Sequence, residues 1–215
     1  MTPLLVLIFK FPAAIAVGTD LLYAAITKSF GVFNHNKLGH INWSIVGYLM
    51  LGSLPASIFM NQYIQDIDIS SSDTVGFIEM WLGIALIFTS AAVLAQPFII
   101  KKSNKNEIYA VKNAKMFTVF LGLLLGGMVT LTSVGAGAMG VTALLLIYPR
   151  MKIKNIIGTD IAHAVPLTLF AGLGHYTLGN VDTILLVSLL IGSIPGVWTV
   201  SYTHLRSHDT RSDLV

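Results

Sequence analysis

The sequence contains no cysteine, which excludes disulfides and thiolate metal sites. It is also poor in charge. Asp, Glu, Lys and Arg make up 11% of its 215 residues, where a soluble domain carries roughly 25%. The deficit is concentrated. Segments 38–65, 80–100, 116–149, 161–181 and 183–205 hold none of those four residue types. Each is long enough to cross a bilayer, which takes about 20 apolar residues. Strands of a transmembrane β-barrel alternate polar and apolar residues, and these runs do not. No basic leader with a cleavage site follows Met1, and no nucleophile triad or Walker loop stands out. "GAGAMG" at 135–140 has the spacing of a dinucleotide fingerprint, but no strand or βαβ unit surrounds it. The expected class is all-α, a polytopic transmembrane helix bundle in a lipid bilayer. The net charge of +3 fits loops at a membrane face, not a nucleic-acid partner.

What the sequence does contain is a copy of itself. Residues 18–55, "GTDLLYAAITKSFGVFNHNKLGHINWSIVGYLMLGSLP", align without a gap on 158–195, at an offset of 140. Twelve of the 38 positions are identical. They include Gly18/Gly158, Thr19/Thr159, Asp20/Asp160, His35/His175, Gly39/Gly179 and a Gly-Ser-x-Pro at Gly52/Gly192. Internal repeats are a common construction in secondary transporters. At the same offset Thr2, Leu4, Leu5 and Lys10 match Thr142, Leu144, Leu145 and Arg150. The second copy has a further apolar helix and "SVGAGAMG" before that point, so the first copy is expected to be truncated at its N-terminus. A C-terminal truncation is expected too: the segment after Trp198 turns polar, and 200–215 resembles a translated sequencing adapter, a non-native tail. The expected organisation is a first repeat at 1–100, a basic linker at 101–115 and a second repeat at 116–199.

Helices are expected at about 12–33, 41–63, 75–100, 116–133, 138–149, 153–174 and 181–200. The linker "KKSNKNEIYAVKNAK" holds five Lys and one Glu, which places it in the cytoplasm. Loop 63–74, with Asp66, Asp68 and Asp73 and no base, suits the outside. Arg150, Lys152 and Lys154 read as inside, so 116–149 must leave and return as a hairpin whose tip, "TSVGAGAMG", lies within the membrane or part-way across it. Counting crossings puts Lys10 outside and Arg150 inside, His35 inside and His175 outside. The two repeats are therefore expected to have inverted topology, which suits alternating access.

Several residues could carry chemistry. Gly135, Gly137 and Gly140, beside Thr132 and Ser133, could bring backbone N–H groups and a helix N-terminus to an anion, or could serve close helix packing. Asp20 and Asp160 lie about two turns inside their helices, where an ionised group costs about 2.5–3.5 kcal/mol. Each could cap a broken helix or carry a proton. His163 shares a face with Asp160, and Lys28, eight residues from Asp20, shares a face with it. His35 and His175 suit an interface or a ligand. No His-x-x-x-His pair suggests zinc. Pro55, Pro166 and Pro195 free backbone carbonyls, which membranes tolerate beside protein or a wet cavity.

"TSVGAGAMGVTALLLIYP", "IIGTDIAHAVPLTLFAGLGHYTLGNVD" and "LLIGSIPG" resemble the sulfite exporter TauE/SafE family, as do "AVGTDLLYAAITK", "HNKLGHINW" and "GSLPAS" in the first half. The resemblance spans nearly all of 1–199. It implies a multi-pass carrier of the bacterial or archaeal inner membrane, with two inverted halves and about eight helices. It implies transport of a small anion such as sulfite, sulfoacetate or a related organosulfur compound, with no cofactor. The expected site lies near the midplane, where Ser133, Gly135, Gly137, Thr142, Thr159 and Thr19 hold the anion. Asp160, His163 and Asp20 are the candidates for proton coupling. The alternatives are a membrane enzyme, for which no clustered catalytic set is visible, and a non-transporting scaffold or accessory subunit.

Overall fold

The computed structural model describes residues 1–66, 72–104, 111, 113–135 and 137–193. Every regular element among them is a helix: α1 (Thr2–Leu7), α2 (Ala13–Lys37), α3 (Trp43–Asp66), α4 (Ser72–Asn104), α5 (Ala114–Thr132), α6 (Ala138–Ile147), α7 (Ile153–Thr177) and α8 (Thr183–Ser193). α1 was not among the expected helices. It occupies the positions that match the last six residues of α6 at the offset of 140. The other boundaries fall within a few residues of those expected. Pro195, much of loop 63–74 and of the linker, and the tail 200–215 lie outside the described residues.

Trp43–Asp66, Gly76–Lys102, Ala114–Thr132 and Ile153–Thr177 are long and apolar enough to cross a membrane. Their outward faces stay apolar, with Phe59, Ile87, Leu94 and Phe98 all well exposed. Such faces suit lipid, not water. α6 is only 10 residues, about 15 Å at 1.5 Å per residue, and cannot cross alone. At its start Gly137, Ala138 and Met139 are half-buried and Gly140 is buried.

Two features build the bundle. The first is close packing of α3 on α5. Gly52, Gly122 and Gly126 face the opposing backbone so tightly that a Cβ on any of them would collide with it, at Val119, Leu49 and Ser53 respectively. Lipid supplies no hydrophobic drive between helices, so small residues that let backbones approach provide the attraction. The pairs Leu49–Gly122, Ser53–Gly126 and Ser57–Thr130 advance together, so α3 and α5 run parallel.

The second feature explains the repeated sequence. α2 and α7 each end in a glycine with positive φ, Gly39 at 65° and Gly179 at 76°. Each end closes in the same way: His40 N–H donates to His35 C=O at 3.0 Å, and Asn180 N–H to His175 C=O at 2.9 Å. This is the Schellman arrangement, in which the left-handed residue is best a glycine. Asn42 then caps α3 by accepting from Ile45 N–H, and Asp182 caps α8 by accepting from Leu185 N–H. Each turn docks on the other repeat. Asn42 N–H donates to Thr159 Oγ1 and Asp182 N–H to Thr19 Oγ1, both at 3.0 Å. A Cβ on Gly158 would meet His40 O and His35, and one on Gly18 would meet Asn180 O and His175. Every partner in one set maps onto the other at the offset of 140. The N-terminal end of α2 thus meets the C-terminal end of α7 and the reverse, so these matched helices run antiparallel.

In the repeated Gly-Thr-Asp, glycine makes room for a turn and threonine holds it. Thr159→Val keeps the shape but leaves the Asn42 N–H without its acceptor. We expect a loss of about 1–3 kcal/mol, measurable as a lower unfolding midpoint in detergent, and a similar loss for Thr19→Val. An unchanged midpoint for both would mean that the clamps do not contribute.

Candidate functional site

The acid of the repeated motif is where the two copies part company. Asp20 Oδ2 accepts from Thr2 N–H at 2.8 Å, from Thr2 Oγ1–H at 2.7 Å and from the Met1 amino group at 3.0 Å. Asp160 is 1% exposed, and neither carboxyl oxygen has a hydrogen-bond partner. It is the eighth residue of α7, roughly 10 Å along the helix. There it lies against Gly140, in the first turn of α6, where a Cβ would collide with Asp160 Oδ1. The first N–H groups of a helix lack intrahelical partners and its N-terminus carries partial positive charge. The buried carboxyl therefore sits beside the positive end of a short helix that starts within the protein.

That start is made by backbone conformations few residues adopt. Ser133 closes α5 in the left-handed region with φ 55°, and Gly135 and Gly137 follow at 116° and 133°. Thr132 Oγ1 donates to Met128 C=O and accepts from Val134 N–H. Ser133 Oγ is buried and unpartnered. Thr142 is buried one turn into α6 and donates to Ala138 C=O at 2.7 Å. Ala136 lies outside the described residues.

One turn beyond Asp160, His163 is 1% exposed. Its Nε2 is 2.8 Å from Ser53 Oγ, and its Nδ1 is buried without a partner. His175, also 1% exposed, donates from Nε2 to Thr130 C=O at 2.9 Å. This leaves its Nδ1 as the unpartnered nitrogen. Thr130 Oγ1 also contacts Ser57 Oγ at 2.8 Å. Lys28 of α2 lies within electrostatic reach of both Asp160 and Asp20.

The structure thus brings together Asp160, His163 and the α6 start with Lys28 and Ser53. It does not bring Thr19, Thr159 and Asp20 to the same place. The threonines hold turns at opposite ends of the α2–α7 pair, and Asp20 is held at the start of α1. Ser53, in the repeated Gly-Ser-x-Pro, is not among the expected site residues. Lys28 shares a face with Asp20 in the sequence, but spacing along one helix cannot show what a neighbouring helix presents. Among the described residues, no three His, Asp or Glu side chains gather as metal ligands do.

Comparison with known proteins gives a consistent result. The family described as Sulfite exporter TauE/SafE matches residues 1–210. The chain is 36% identical over 208 residues to the "Probable membrane transporter protein YjnA" of Bacillus subtilis (strain 168), covering 96% of this chain and 81% of that protein. It is 27% identical over 208 residues to the "Probable membrane transporter protein YdhB" of the same organism, covering 94% and 80%. No solved structure gives a significant match.

Proposed function

Starting from the premise that the chain belongs to the TauE/SafE sulfite exporter family, a family of multi-pass membrane transporters, we propose that it carries a small anion, sulfite or an organosulfur anion, by alternating access coupled to protons. One observation carries the reading: a fully buried carboxyl with both oxygens unpaired, set against the first turn of a helix that begins inside the bundle. An ionised group at that depth is costly and is a functional candidate by default.

The arrangement suggests how coupling works. Ionised Asp160 occupies the positive end of α6 and attracts Lys28. A substrate anion needs the same partners. Protonation of Asp160 removes the competing charge, so the α6 N–H groups, Lys28 and the Ser133 hydroxyl become available to the anion. His163, held through Ser53, is the adjacent group able to pass the proton. Gly135 and Gly137 keep the backbone of the turn uncovered. The antiparallel packing of α2 on α7, with matched contacts at both ends, supports two inverted halves. Two such halves can open the site to one side and then the other. Arg150, Lys152, Lys154 and the lysines of the basic linker support a cytoplasmic start for α7, in keeping with an inner-membrane protein.

The test is counterflow of labelled sulfite, and of a panel of organosulfur anions, in proteoliposomes. The protein is expected to exchange at least one of them. Lys28→Met should lower that exchange by roughly tenfold or more, the equivalent of one lost charge-assisted contact. Absence of exchange for every anion would overturn the reading and leave the scaffold alternative.

A further inference from the structure

The offset of 140 also relates two surface pockets at opposite ends of the α2–α7 pair. One, of about 800 Å³, is formed by 38–40, after α2, and by 150–155, leading into α7. The other, of about 860 Å³, is formed by 10–15, leading into α2, together with Asn180, after α7, and a face of α4. Positions 10–15 are 150–155 less 140, and Asn180 is His40 plus 140. The two pockets share matching segments, but the second adds Val6, Leu7 and a face of α4 that the first lacks. The first carries Arg150, Lys152 and Lys154 and no acid. The second carries Lys10 and Glu79, which offset each other, and is otherwise mostly apolar.

The geometry points to the first pocket as a binding site for the head group of an anionic phospholipid. Three cations are gathered at the end of the bundle where α3, α5 and α7 all begin. α7 starts there with no side-chain cap, and the positive end of its dipole favours an anion at that position. His40 Nδ1 is buried at the same pocket and has no partner. A free small anion would use only this charge. The pocket also presents Leu38, 62% exposed, with Met151 and Ile153 half-buried beside it. An occupant with a phosphodiester and an acyl chain satisfies both parts. Basic pockets between helices on the cytoplasmic side suit such lipids. The second pocket, which shares the matching segments 10–15 and Asn180 and has no net positive charge, serves as a control. The proposal requires only that the bundle lies in a bilayer, and stands apart from the transport reading.

The experiment uses the full chain in nanodiscs of phosphatidylcholine and phosphatidylglycerol in equal parts, with retained lipids counted by native mass spectrometry. The wild type is expected to retain phosphatidylglycerol selectively. Each basic residue near an anionic surface contributes about fivefold in affinity, so Arg150→Gln/Lys152→Gln/Lys154→Gln should weaken retention on the order of 100-fold. Lys10→Gln should leave it unchanged, and Arg150→Lys should retain the lipid. If the triple variant misfolds by circular dichroism, each single Gln variant should still show its own roughly fivefold loss. Full retention by the variants, or equal loss from Lys10→Gln, would overturn the proposal. So would displacement of the lipid by equimolar inorganic phosphate, which would make the pocket a free-anion site.

Discussion

If Asp160 couples transport to protons as proposed, replacing it by Asn is expected to uncouple the carrier without emptying its site. The amide would have the shape of the protonated acid and no charge, so the positive end of α6 would stand open to the anion at every pH. In proteoliposomes with an imposed pH gradient, proton-driven accumulation should fall on the order of 100-fold, the scale expected when a proton-transferring side chain is removed. Counterflow of the same anion, which needs no net proton movement, should continue. The pH dependence of counterflow should flatten. Accumulation at the wild-type level would remove Asp160 from the coupling mechanism. The comparison with Asp20→Asn is informative because the two residues are equivalent in sequence. Asp20 is already held by the N–H and hydroxyl of Thr2, so its loss should lower stability and leave the coupling ratio alone.

The second large effect lies in packing. Gly126→Val would place a branched side chain where a single Cβ already collides with the backbone of Ser53. No rotamer relieves a collision at Cβ, so α3 and α5 must separate. We expect a loss of about 3 kcal/mol, the upper part of the range for overpacking, seen as a large drop in the detergent unfolding midpoint. Separation also moves Ser53 away from His163, so transport should fail with stability. Gly127, one position on, is the control. A Cβ there meets only the end of Met60 at 3.6 Å, and Gly127→Ala should be tolerated. Equal losses at both positions would mean that close approach to Ser53 does not decide the outcome.

Much of the fold was legible because a bilayer leaves few options. Uncharged runs longer than a crossing had to be helices, and the linker lysines indicated one side. The self-match at 140 was also legible, and part of it marked real contacts: Gly18/Gly158, Thr19/Thr159 and His35/His175 lie where one copy docks on the other. What could not be read was the division of labour inside the motif. Thr19 and Thr159 are expected as anion ligands because they neighbour the acids, and the structure shows both also holding turns, a role that a sequence does not distinguish. Nor could the alignment separate Asp20 from Asp160, since the difference comes from Thr2 reaching one and no described donor reaching the other. Lys28 shows the same limit, because its second acid belongs to α7. α1 escaped because it is six residues long, too short for periodicity to register.

The turn clamps have a consequence for synthesis. Asn42 waits for an acceptor that is 117 residues further along the chain, and Thr19 waits for a donor 163 residues later. During translation the first half must therefore reside in the bilayer with its docking surfaces open until α7 emerges between them. Each half is then expected to depend on the other for stable folding. Two separately expressed halves, divided in the basic linker, should each be degraded alone and rescue one another when made together.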